Sequence, residues 1–196
     1  MFEKTALIIV DLQNDFLASD GAYLRGGATN PSALELPLRV ARVAKAVKAG
    51  GGLVIASQFT LWPDANGEPM ISSHLKALRP FLKRGDFAPG SKGQANVDEI
   101  MPYVDISICK VAYSAFFNTQ LDWILKHAGI EHLALCGIVT NGGVASTLRD
   151  AHLREYHNTV LCDGCAAFGN HHAIALADMA TISTVMTCTE FLVSHA

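Results

Sequence analysis

Three short stretches hold residues whose types could do chemistry together. Asp11 ends the apolar run TALIIV at 5–10, in the context V-D-L-Q. A carboxylate at the end of such a run is either a polar strand terminus capping a turn or a proton carrier in a partly dry pocket. Lys110 stands in ICKVAYSAFFNT, among apolar and aromatic neighbours. An ammonium there must snorkel to water or find an anion, and Asp11 is the natural partner if their strands are neighbours. Thr140-Asn141-Gly142-Gly143 follows the apolar run LALCGIV and opens a helical stretch. Glycines permit a tight backbone path there, and amides at a helix start can hold an oxyanion. A plain helix-entry turn capped by Thr140 or Asn141 has the same pattern. Carboxylate, ammonium and backbone amides are the parts of acid–base chemistry on a small molecule.

Other chemistries find less support. Neither phosphate-loop glycine pattern is present, and there is no G-x-S-x-G elbow. His171 and His172 are adjacent and diverge on a helix, while His152 and His157 lack ligand spacing. No metal and no cofactor is expected. Cys162-Asp-Gly-Cys165 has the CxxC spacing without a second pair, so it reads as buried, inert thiols at a strand end.

These residues need a scaffold. Buried-strand patterns cover 5–10, 53–57, 106–110, 133–139 and 159–162, with a short one at 184–187. Helical spacing covers 34–49, where apolar residues fall at 36, 40, 43, 44 and 47 and Gly50 follows. Further helices are expected at 118–128, 144–155 and 171–182. Strands alternate with helices throughout. That order predicts an α/β fold in three layers: a central, mostly parallel sheet with helices on both faces. Ligands of such sheets bind beyond the carboxyl ends of the strands, where Asp11, Lys110 and the 140–143 turn would lie. Residues 58–100 are rich in Pro, Gly and charge and carry only a short helix near 74–78, which suggests a functional insertion.

Bulk properties narrow the partners. Half of the 196 residues are hydrophobic, 17% are charged, and the net charge is -3. This is one globular domain, 1–196, with no basic block for nucleic acid or an anionic membrane. The N-terminus lacks a signal peptide's layout, and no apolar stretch approaches the roughly 20 residues that span a bilayer. Five cysteines in mainly apolar settings fit a cytoplasmic protein with reduced thiols. A small-molecule substrate is the expected partner. Candidate pocket walls are Phe16, Trp62, Tyr113, Phe116 and Phe117, of which two are expected to line the pocket and the rest to serve the core or an interface. Gln58 and Asn141 are candidate polar contacts.

Together, ALIIVDLQNDF at 6–16, the long block from Lys110 to Ala151 and VLCDGCAA at 160–167 resemble the isochorismatase-like hydrolases, also called cysteine hydrolases. SAFFNTxLD and STLRD look most like the ureidoacrylate and carbamoyl-amide hydrolases of that family. The resemblance implies a parallel sheet, usually of six strands, and a Cys-Asp-Lys trio in which Asp11 and Lys110 match the aspartate and lysine. The family cysteine, in T-N-x-C-V-x-S-T, falls on Gly143. A cis peptide is implied at Ile138–Val139, turning the Val139 and Gly143 amides into an oxyanion hole. Metal-binding members carry paired histidines where this chain reads SQFTLWPDAN at 57–66. Members usually form dimers or tetramers, so a homo-oligomer is expected.

Glycine cannot attack a carbonyl. The leading expectation is therefore a small-molecule hydrolase using Asp11 and Lys110 without covalent catalysis. Vinyl-ether cleavage is the most compatible type, because true isochorismatases also have glycine there. Asp11 would be the acid, and Lys110 and the Gly143 amide would orient the substrate. Against this, the loop V-T-N-G-G follows the amidase branch. The alternatives are a carbamoyl or ureidoacrylate-like C–N hydrolase whose cysteine was replaced, and a non-catalytic ligand-binding member.

Overall fold

The computed structural model describes residues 1–28 and 30–195. Its strands are β1 Thr5–Val10, β2 Leu53–Phe59, β3 Ile106–Lys110, β4 His132–Ile138, β5 His157–Ala166 and β6 Thr184–Met186. Its helices are α1 Asn14–Leu17, α2 Ala22–Arg25, α3 Leu36–Ala49, α4 Ser73–Leu78, α5 Leu121–His127, α6 Ala145–Leu153, α7 His171–Met179 and α8 Cys188–Ser194.

All pairings in the sheet are parallel, in the order β3-β2-β1-β4-β5-β6. Every residue of β1 is buried, as its unbroken apolar run requires of a central strand. In α3, Leu36, Val40, Val43, Ala44 and Val47 are buried. A fully buried Leu or Val side chain contributes about 1.5–3 kcal/mol, so this stripe fixes the helix against the sheet. The chain runs outward from β1 through β2 to β3, then returns to start β4 on the other side of β1. The strand order reverses there, which opens a crevice at the carboxyl ends of β1 and β4. Gly137 lets β4 pass that close. Its φ is +116°, and a Cβ would lie 2.0 Å from the Val10 carbonyl oxygen.

Several boundaries differ from the sequence expectation, for local reasons. Asn118 has φ 52°, which a helix excludes, so α5 starts at Leu121 rather than at 118. Glu155 has φ 65°, and α6 ends at Leu153. The start of that helix is displaced by a wide π-type turn at Thr140–Val144. β5 extends to Ala166, with a register shift against β4 between Leu135 and Gly137. Cys162 and Cys165 therefore lie within the strand, Cys165 buried and Cys162 half-buried, and both are free thiols. Burial raises the pKa of each. Helix α8 was not anticipated, although Thr187 and Glu190 form a reciprocal capping box at its start. No helix among the described residues is long and apolar enough to cross a membrane.

Candidate active site

Asp11 is the first residue beyond β1 and has φ 54°, a left-handed conformation rare outside glycine. Its amide donates to the Ser57 carbonyl (3.2 Å), and its own carbonyl accepts from the Gln13 amide (2.8 Å). The side chain is thereby aimed into the crevice. Lys110 Nζ lies 2.7 Å from Asp11 Oδ2, and their side chains are 1% and 4% exposed.

The two strands are not neighbours. β2 separates β1 from β3, so the lysine must span two strand spacings, about 10 Å. It does so across β2. Nζ sits 5.4 Å from the centroid of the Phe59 ring and donates to the Ala112 carbonyl (2.9 Å). Ser57, also on β2, donates its hydroxyl to Asp11 Oδ1 (2.7 Å). Burial raises the Asp11 pKa above its ordinary 3.8, against the opposing pull of Lys110, Ser57 and the Phe59 backbone. The carboxyl group is thus a better base when ionised and easier to protonate than a surface aspartate.

Gly143 lies in the wide turn beyond β4. A Cβ built on it would stand 3.5 Å from Asp11 Oδ2, 3.3 Å from the Ile138 carbonyl oxygen and 2.9 Å from Val10 Cγ1. The Ile138–Val139 peptide is cis. In the turn, the Gly142 and Val144 amides donate to the Val139 carbonyl. Thr147 Oγ1 donates to the Gly143 carbonyl (2.7 Å) and accepts from the Ala115 amide (3.0 Å), which ties the turn to the segment after Lys110. Thr140 Oγ1 pairs with His172 Nδ1 at 2.8 Å, tying the turn to α7. Burial lowers the His172 pKa from 6.5.

Asp11, Lys110, Val139 and Gly143 line one cavity of about 280 Å³, with Phe16 and Tyr113 in its walls. A wider, more open cavity of about 770 Å³ adjoins it and includes Asn141 and Gly142. Tyr23, Leu78, Arg79, Tyr113 and Val139 belong to both walls. The 58–100 segment supplies the roof, through Ser72, His74, Leu75, Leu78, Arg79 and Leu82.

Four candidates from the sequence lie away from this cavity. Gln58 faces the side of β2 opposite Ser57, since strand side chains alternate, and its amide donates to the Gln94 carbonyl (3.2 Å). Trp62 is 47% exposed at the base of a turn closed by pairing of Pro63 with Pro69. Phe116 is buried beneath the Arg154 guanidinium and beside Tyr156. Phe117 is 53% exposed on the surface. Sequence reasoning missed Ser57, Tyr23 and Arg79. Ser57 was within reach, as a polar residue closing the apolar run LVIAS at the same sheet end as Asp11. Among the described residues no cluster of three or more His, Cys, Asp or Glu could hold a metal ion.

A buried acid–base pair under a roof of leucines and polar side chains, beside a glycine turn at a strand-order reversal, suits hydrolysis of a small molecule. Known proteins with matching features are consistent with that chemistry. The family model for the isochorismatase domain matches residues 5–190. A ureidoacrylate amidohydrolase RutB of Yersinia enterocolitica is 42% identical over 170 residues, covering 81% of this chain and 74% of that protein. The structure of a cysteine hydrolase from Pseudomonas syringae pv. phaseolicola superposes with a TM-score of 0.84 at 25% identity, covering 98% of this chain and 92% of the other. The N-carbamoylsarcosine amidase of Thermoplasma acidophilum superposes with a TM-score of 0.75 at 26% identity, covering 94% and 96%.

Proposed function

The chain belongs to the isochorismatase family of hydrolases, and from that premise we propose that it cleaves a C–N bond in a small ureido- or carbamoyl-type amide, with Asp11 activating water where relatives would use a thiol. The observation that carries this reading is the position of Gly143: a side chain there would begin 3.5 Å from Asp11 Oδ2. Glycine puts no side chain there, so on this reading a water molecule bound beside the carboxylate takes the place of a thiol. The similarity to a ureidoacrylate amidohydrolase and to an N-carbamoylsarcosine amidase favours amide over ether chemistry.

The residues divide the work as follows. Asp11, made more basic by burial, takes a proton from water as its oxygen bonds to the carbonyl carbon. The carbonyl electrons move to oxygen. That charge is opposed by Lys110, 2.7 Å from Asp11, and by the Val139 and Gly143 amides as the oxyanion donors. On collapse the C–N bond breaks, and Asp11 returns its proton to the leaving nitrogen. Phe16, Leu75 and Leu82 keep the chamber apolar, which strengthens each of these charge interactions.

Vinyl-ether cleavage is the second reading, and one observation favours it: burial raises the Asp11 pKa, as a general acid requires. Purified protein incubated with ureidoacrylate, simple carbamoyl amides and isochorismate separates the two. Ammonia released by the wild type and lost in Asp11→Asn supports C–N hydrolysis. Pyruvate released from isochorismate and lost in Asp11→Asn supports the ether reading instead. Ammonia released only by Gly143→Cys would refute the water-based mechanism.

A further inference from the structure

Arg79 follows α4 and borders both cavities, at the neck where they meet. It is half-buried, and among the described residues it makes no ion pair. By contrast, Arg25, Arg39, Arg84, Arg149 and Arg154 all face carboxylates. Among the described residues Arg42 lacks such a partner too, but it is exposed to water. The guanidinium is only partly withdrawn from water, its Tyr23 contact being part-buried and its Leu78 contact exposed, and with no counter-charge among the described residues it keeps a charge available to an anion in the cavities it borders.

Its aim is also fixed. Nη1 donates to the Leu78 carbonyl (2.9 Å), and Nε donates to the Tyr23 hydroxyl (3.3 Å). Tyr23 is held by rings on several sides, with centroids of Phe16 at 4.5 Å, Phe81 at 5.2 Å and Phe168 at 5.3 Å. The hydroxyl oxygen of Tyr23 is occupied as an acceptor, so its proton is free to point elsewhere. Nη2 has no acceptor among the described residues. One Tyr23 O–H and the Nη2 N–H groups of Arg79 together form a fork suited to a carboxylate.

We propose that Arg79, with Tyr23, is the specificity-determining anchor for a carboxylate at the end of the substrate opposite the bond cleaved. This rests on the C–N hydrolase reading for the identity of the other end. The scissile group lies in the chamber with Asp11 and Lys110, the apolar walls enclose a short linker, and the carboxylate reaches the neck.

Titration of the full-length protein with 3-ureidopropionate and its neutral amide, 3-ureidopropionamide, tests the assignment. Affinity is read as Kd, or as KM where the probe is turned over. Wild type favours the carboxylate probe by tenfold or more, on the order of one charge-assisted contact. Arg79→Met weakens the carboxylate probe roughly 10- to 150-fold and moves the amide by less than about threefold. Arg79→Lys restores part of the preference, and Tyr23→Phe lowers it with the fold intact by circular dichroism. Equal weakening of both probes in Arg79→Met, no preference in wild type, or binding of neither probe overturns the anchor. Preference for the carboxylate without ammonia release from any ureido compound sinks the C–N reading and leaves the anchor standing. Ammonia release with no charge preference does the reverse.

Discussion

Replacing Lys110 by methionine keeps most of the stem and removes the charge. Asp11, 3% exposed, would keep its bond from Ser57 but lose its counter-ion at 2.7 Å. Breaking one side of a buried pair costs about 3–5 kcal/mol. At this chain length each kcal/mol shifts Tm by about 2–4 °C, so Tm should fall by about 6–20 °C at neutral pH. The pH dependence gives a sharper test. In wild type, burial already lifts the Asp11 pKa above 3.8, with Lys110 the largest opposing influence. Without Lys110 it rises further. The folded state of the variant then binds the proton more tightly than the unfolded chain. Its stability recovers as pH falls through the raised folded pKa, and the deficit against wild type shrinks on acidification. Urea unfolding of wild type, Lys110→Met, Asp11→Asn and the double variant, at neutral and mildly acidic pH, measures both effects. The double variant, with neither charge buried, should regain more than half of the loss. A neutral-pH deficit below about 1 kcal/mol, the range of an exposed pair, or a deficit that grows on acidification, would refute the argument.

The pH profile of kcat/KM distinguishes the two chemistries. If Asp11 is the base, activity rises with pH along a limb centred above 3.8, since burial raises its pKa; an acid-catalysed ether cleavage falls along that limb. Thr147→Val leaves the Gly143 carbonyl and the Ala115 amide without their partner; at about 1–3 kcal/mol for each buried group, chemical denaturation should show a loss of a few kcal/mol together with reduced turnover. His172 has a folded pKa below 6.5, so the unfolded chain binds its proton first. Its contribution is complete above about pH 6.5 and is lost as pH falls through the lowered folded value. Melting curves of His172→Gln should show a shallower acid-side slope than wild type, and an unchanged slope would exclude this residue as the cause.

Much of the architecture was legible because burial on both faces writes itself into composition. A strand such as β1, with every residue buried, has no reason to alternate polar and apolar residues, so TALIIV marks a central position directly. The stripe of α3 follows from the same constraint at helical period. The acid–base residues were legible because a charge beside such a run is costly unless something answers it. What was not legible depends on register and on long loops. Ser57 faces Asp11 and Gln58 does not, a difference of one residue in a period of two. The aromatic walls divided for a similar reason: Phe16 and Tyr113 reach the cavity, while Phe116 packs under Arg154. The 58–100 segment has no period to read, and its contribution, the roof from Ser72 to Leu82, appears only when the chain is folded over the strand ends.

From the sequence by itself came the α/β class, the alternation of strands and helices and the identity of Asp11, Lys110 and the 140–143 turn, because periodicity and isolated charges are local properties. The tertiary structure decided how they meet. Lys110 spans β2 to reach Asp11, Ser57 steadies the carboxylate, and Arg79 stands beside Tyr23 at the neck. These are contacts between residues 46, 56 and 99 positions apart in the chain. Nothing in the local sequence encodes them, since the sheet's crossover order alone sets which strand ends become neighbours.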